Sequence, residues 1–184
     1  MPVTAFPDHT LESAPEAARR ALRATTDRLG YLPSPVARMA TSPHTLDGFL
    51  KLSAIFESTT LAQLDREVLI LTIATRNECH VCVAMHTAKL TAMHADPALI
   101  KALRAQQPLP DAKLEALRAF TLAVLATAGA VEETRLSAFL KHGYTAQNAL
   151  EVVLGIGTYT LSTFANRLTG APIDEQLAAF APEG

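Results

Sequence analysis

Apolar residues recur along this 184-residue chain at intervals of three and four rather than two, and Ala and Leu crowd the places where β-branched alternation would mark strands. The pattern predicts an all-α protein. Ser13-Ala14-Pro15-Glu16 reads as a capping box opening a helix that Gly30 closes. Tyr31 to Pro35 reads as a Pro-bearing connector, and a helix from Pro43 to about Glu57 follows. Thr60-Leu61-Ala62-Gln63 is a second capping-box pattern, ahead of a helix that carries Glu67 and ends near Thr75. The next helix spans about Glu78 to Met93, and Asp96-Pro97 caps a short one after it. Pro108-Leu109-Pro110-Asp111 separates the halves and caps a helix to about Thr127; a further helix, Glu132 to His142, stops at Gly143. Thr145 opens the last long helix, to about Leu168, and Pro172 bars its continuation. With no repeat or low-complexity segment, the expectation is one domain over residues 1–184.

Composition narrows the function classes. At 49% hydrophobic the chain can bury a sizeable core, and a formal net charge of −2 gives no footprint for nucleic acid or an anionic membrane. The most membrane-like run, Val152 to Ala165, is interrupted by Gly, Thr and Ser and falls short of the ~20 residues of a spanning helix, so a buried helix is expected. Met1 to Asp8 lacks the charged and apolar regions of a signal peptide. Two cysteines without such a signal argue for a cytoplasmic thiol pair rather than a disulfide scaffold.

Those cysteines carry the candidate chemistry. Cys79-His80-Val81-Cys82 sets two thiols as C-x-x-C, close enough on one helical turn to bond. His86 follows Cys82 by four residues on the same face, where an imidazole can hold or take the thiol proton. Cys79, Cys82, His86 and Met93 form one stripe. As plain core, that stripe would leave the thiol spacing and the histidine without a reason. As a zinc site, it would use both thiolates, His86 and a carboxylate or His80, but three ligands strung along one helix suit a tetrahedron poorly. A redox dithiol accounts for all of them. Glu67 shares its helix face with Leu64 and Leu71, so its carboxylate must be protonated or paired, either structurally with an arginine such as Arg76 or Arg104, or with His86 as orienter and charge balance. Which cysteine attacks stays open on these grounds. The helix N-terminus favours Cys79, and the neighbouring His86 favours Cys82. His44, His94 and His142 read as surface residues or caps, Tyr159 and Phe164 as core or interface, and Lys89, Lys101 and Arg104 as solvated positives.

The arrangement Glu67, eleven residues, Cys79-x-x-Cys82, three residues, His86 resembles the active-site motif of the alkylhydroperoxidase D-like (AhpD-like) proteins of the carboxymuconolactone decarboxylase superfamily. Leu29-Gly30-Tyr31-Leu32-Pro33 and the Ser42-Pro43 lead-in resemble its upstream segment. Phe164-Ala165-Asn166-Arg167-Leu168 and Ala171-Pro172-Ile173-Asp174 resemble its closing helix and tail. The resemblance implies an AhpD-like helical domain assembled into trimers or hexamers, and hydroperoxide reduction without a cofactor or metal. It assigns Cys82 as the attacking thiol, Cys79 as the resolving one, and His86 and Glu67 as the proton relay. The partners it implies are a hydroperoxide substrate and an external dithiol reductant, a lipoyl- or thioredoxin-like protein. The alternative function is a thiol–disulfide oxidoreductase or a redox or metal sensor. The family's best-studied peroxidases carry a histidine immediately before the second cysteine, where this chain has Val81. Its own histidine, His80, lies about 100° further round the helix and should point away from Cys82. An oligomer is also expected from the last helix: Leu150, Val152, Val153, Leu154, Ile156, Tyr159, Leu161 and Phe164 occupy every side, and Gly155 and Gly157 would admit another backbone.

Overall fold

The structure, a computed structural model, describes residues 5–182. Met1–Thr4, at the head of the segment in which no signal peptide was read, lie outside the described residues. Nine α-helices and a terminal 3-10 turn make up the described chain: α1 (Glu16–Leu29), α2 (Ser34–Met39), α3 (Pro43–Glu57), α4 (Gln63–Arg76), α5 (His80–Ala92), α6 (Pro97–Arg104), α7 (Ala112–Thr127), α8 (Glu133–Lys141), α9 (Ala146–Thr169), and the turn Glu175–Phe180. No strand occurs among them, and none of these helices is long and apolar enough to cross a membrane.

α4 is the axis of the molecule. Every residue from Val68 to Thr75 is buried, because α5, α6, α7 and α9 pack around it. A helix apolar on all sides must be enclosed, and Leu69, Ile70, Leu71 and Ile73 have essentially no exposed surface. Its two threonines are tolerated there because each hydroxyl donates to a carbonyl one turn back, Thr72 to Val68 at 2.7 Å and Thr75 to Leu71 at 2.9 Å. A second, smaller cluster of Ala14, Ala18, Leu22, Met39 and Leu46 joins α1, α2 and α3.

Local side-chain caps placed four of the nine α-helix starts. Ser42, Asp96, Asp111 and Thr145 each accept a first-turn N–H, and Thr145 completes a capping box with Asn148. Two expected caps are not used. Ser13 bonds back to the Thr10 N–H, and α1 starts behind Pro15 without a side-chain cap. Thr60 gives its N–H and hydroxyl to Glu151 on α9, and α4 starts three residues later behind Ala62. The supposed connector also holds a helix, α2. Its cap comes from Asp174, 140 positions away, which accepts the Ser34 hydroxyl at 2.6 Å and its N–H at 3.1 Å. So short a helix needs tertiary support.

The last helix departs from expectation in one respect. α9 is not enclosed: Val152 and Tyr159 face inward, while Leu150, Phe164 and Leu168 are 73, 59 and 71% exposed. Gly155 makes room for a side chain of its own chain rather than for another backbone. A Cβ there would lie 2.6 Å from Phe56 Cε2 and 2.8 Å from Leu69 Cδ2, whereas Gly157 faces open space. Phe56 and Leu69 are fully buried and cannot swing away. Gly155→Ala should therefore destabilise the fold by about 1–3 kcal/mol, as overpacking does. Gly157→Ala should cost nothing or stabilise slightly through helix propensity. Urea unfolding of the two variants is the measurement.

Candidate active site

The turn between α4 and α5 is set before any chemistry. Glu78, a non-glycine residue, sits at φ +51°, a conformation that costs energy and persists only where surroundings enforce it. Three bonds from α9 supply the enforcement. Asn77 Nδ2 donates to Thr163 Oγ1 at 2.9 Å, Arg167 donates to the Asn77 carbonyl, and Arg167 Nη2 lies 3.5 Å from Glu78 Oε2. Cys79 follows as the N-cap of α5, its N–H bonded to the Ala74 carbonyl and its own carbonyl accepting from Val83.

Cys79 and Cys82 are joined in a disulfide, with Cα atoms 5.3 Å apart. Cys82 stands in the first turn of α5, among N–H groups without intrahelical acceptors and at the positive end of the helix dipole. That surrounding favours thiolate over thiol. Cys82 is the more reachable of the two, at 6% exposure against 1% for Cys79. On α9, Asn166 Nδ2 donates to Cys82 Sγ at 3.3 Å.

One turn further along α5, His86 Nδ1 lies 2.6 Å from Glu67 Oε2. The carboxylate can only accept, so Nδ1 carries the hydrogen and Nε2 is left as the basic nitrogen. Both side chains are buried, and Lys89 Nζ donates to the other carboxylate oxygen at 3.2 Å. Burial by itself raises the Glu67 carboxyl, but attraction and hydrogen bonding from His86, with those of Lys89, outweigh it and hold the group below its ordinary range. The edge of the His86 ring meets Tyr159 at a centroid distance of 5.8 Å. Burial pushes the Tyr159 phenol up to about 12, so at neutral pH it is an uncharged wall of the site.

Residues 43–125, which include Glu67, both cysteines and His86, match the family model described as the carboxymuconolactone decarboxylase family. Over those 83 of its 184 residues the chain is similar to that family. Its fold is the AhpD-like one. A structure described as an alkylhydroperoxidase AhpD core, an uncharacterized peroxidase-related protein from Ralstonia eutropha JMP134, superposes with a TM-score of 0.84 over 100% of both chains at 20% identity. An uncharacterized peroxidase-related protein from Silicibacter sp. TM1040 superposes at 0.78, covering 96% of this chain and 95% of its own at 18% identity. A cysteine-to-alanine variant of the debrominase Bmp8, in complex with 2,3,4-tribromopyrrole, superposes at 0.75 over 98% of this chain and 96% of its own at 16% identity. No curated protein sequence matches the chain.

Within this AhpD-like frame all four residues singled out from the sequence converge: Cys79 with Cys82 in the bond, His86 with Glu67 in the ion pair. Of the two structural partners considered for Glu67, Arg76 lies against Asn77 Oδ1, and Arg104 binds the carbonyls of Phe180 and Ala181. Lys89 is no mere solvated positive, since it reaches Glu67. His80 is exposed and lines a groove of about 1140 Å³ with Val83, Lys101 and Arg104, a groove to which neither cysteine contributes. Met93 is the C-cap of α5 and takes no part in the site. Among the described residues no group of three or more His, Cys, Asp or Glu is arranged to hold a metal ion. Asn166 escaped notice as a site residue. Its signal was a polar stripe of Tyr159, Ser162 and Asn166 along a largely apolar helix, which means nothing until another element faces it.

The lowered Glu67 carboxyl makes a stability prediction. A group whose folded pKa is depressed stabilises the fold above its unfolded value, near 4.5, and loses that contribution as pH falls through the folded value. Glu67→Gln should therefore cost about 1–3 kcal/mol at pH 7, the range for a charge-assisted buried hydrogen bond. The gap to wild type should close as both proteins are taken well below pH 4.5. Denaturant midpoints at pH 7 and pH 3.5 test it.

Proposed function

We propose that this protein reduces hydroperoxides through the Cys79–Cys82 dithiol, with Glu67 and His86 as its proton relay. The observation that carries the reading is the buried Glu67–His86 pair held one turn from a disulfide-forming C-x-x-C on the same helix. A structural cysteine pair needs no imidazole locked in one tautomer beside it; a thiol nucleophile does. The Cys82 thiolate attacks the distal oxygen of ROOH. The S–O bond forms, the O–O bond breaks, the alkoxide takes a proton from His86, and Cys82 becomes a sulfenic acid. The Cys79 thiol then gives up its proton and attacks the Cys82 sulfur, the departing hydroxyl takes up a proton, and water leaves, giving the disulfide. An external dithiol, on a lipoyl- or thioredoxin-like cytoplasmic partner, reduces it again. Glu67 keeps its negative charge through the cycle and balances each protonation of the imidazole.

A second reading keeps the dithiol and changes the electrophile, and the likeness to the debrominase Bmp8 favours it. In it the two thiols become the disulfide, a carbon–bromine bond becomes carbon–hydrogen, and bromide leaves. Steady-state assays of wild type, Cys79→Ser and Cys82→Ser, with cumene hydroperoxide or tribromopyrrole and either dihydrolipoamide or thioredoxin, separate the readings. Hydroperoxide turnover should be lost in both cysteine variants, and Glu67→Gln should slow it at least about tenfold, given that general acid–base assistance is worth ~10²–10⁴. Debromination without hydroperoxide turnover would reverse the order of the two readings.

The exposed stripe of α9, formed by Leu150, Val153, Phe164 and Leu168, is the contact face of a homo-oligomer, a trimer or a hexamer built from trimers. Light scattering at micromolar concentration should give a multiple of three times the 19.7 kDa chain mass. Leu168→Glu, at the outer end of the stripe, should lower that mass.

A further inference from the structure

The sulfur of Cys82 has a neighbour that the proton relay does not use. Asn166 is 4% exposed, and its Nδ2 lies 3.3 Å from Cys82 Sγ and 3.5 Å from Ser162 Oγ. A disulfide sulfur carries no proton, so only the NH₂ end of the amide can face it. Oδ1, on the same amide carbon, is buried without any hydrogen-bond partner. Buried amide oxygens are nearly always satisfied, and one left open beside a reactive atom calls for an occupant. Nor is the placement loose: Thr163 and Arg167, on either side of Asn166 in α9, bind the turn that carries Cys79. Cys79 accepts no comparable hydrogen bond at its sulfur among the described residues.

We propose that Asn166 is a catalytic residue of the dithiol cycle, its amide N–H stabilising the Cys82 thiolate and its Oδ1 accepting the O–H of the bound hydroperoxide. The thiolate half follows from the contact alone; the Oδ1 half rests on the peroxidase reading. In the forward step Sγ forms a bond to the distal oxygen while Oδ1 holds the hydrogen on that same oxygen, aligning the O–O bond for cleavage. That hydrogen stays with the sulfenic acid, and the departing alkoxide is protonated by His86. The amide thus favours Cys82, the more exposed of the two cysteines, for the attacking role. The substrate class follows as well: peroxides bearing a free O–O–H, as against dialkyl peroxides.

The test uses the Cys79→Ser protein, in which Cys82 is the one thiol, with and without Asn166→Ala or Asn166→Asp. The rate of alkylation by iodoacetamide against pH reports the acidity of Cys82. Both Asn166 variants should move the midpoint up by about one pH unit or more, the effect of a lost hydrogen bond to a charged sulfur. Asn166→Asp keeps the side-chain shape and decides the matter if Asn166→Ala does not fold by circular dichroism. At a pH above every midpoint, Asn166→Ala should still react about tenfold more slowly with cumene hydroperoxide while matching the parent with iodoacetamide. An unchanged midpoint in folded variants overturns the thiolate role, and equal hydroperoxide rates at that pH overturn the Oδ1 contact. A wild type that consumes no hydroperoxide overturns the proposed function and the Oδ1 contact with it, and the alkylation midpoint still decides the thiolate role by itself.

Discussion

The enclosure of α4 is the constraint on which the rest of this structure depends. With helices packed around Glu67 to Thr75, the polar side chains of that segment are buried, and each must be answered from within. The two threonines answer themselves through the backbone. Glu67 cannot, and its partner fixes where α5 lies: the carboxylate has to meet His86 and Lys89, which sets the facing side of α5 and its distance from α4. The first turn of α5 then falls beneath α9, where Asn166 and Cys82 meet. A single buried charge thus does the work of orientation for the whole dithiol segment. Removing its partner would leave it uncompensated, which costs far more than the pair gains over neutral side chains.

The site divides its polar groups by task. In the proposed cycle His86 and Glu67 handle protons, with Lys89 linking the carboxylate to the exposed rim. Asn166 has no titrating group and meets the sulfur of Cys82. Tyr159, its phenol pushed up by burial and uncharged at neutral pH, packs against the imidazole. The disulfide sits where these functions meet, and the strained backbone at Glu78, bound down by Arg167 and Thr163 through Asn77, keeps both sulfurs at that meeting point.

What the sequence by itself determined is whatever depends on neighbours along the chain. The three-and-four periodicity set the helical class, Asp96, Asp111 and Thr145 set their own helix starts, and the spacing of Cys79, Cys82 and His86 set one face of α5. Glu67 was legible too, because a carboxylate between Leu64 and Leu71 is a local anomaly that demands a partner. The tertiary structure alone decided the rest. It gave Thr60 to Glu151 instead of to its own helix, capped α2 from Asp174, and filled the space at Gly155 with Phe56. It placed α4 rather than α9 at the centre, although both read as apolar on many sides, since enclosure is a property of the neighbours and not of the helix. It also turned an unremarkable asparagine on the last helix toward a sulfur 84 positions earlier. Hydrogen bonds of that kind leave no periodic trace in the sequence, because their geometry exists only once two distant helices have been packed by everything else.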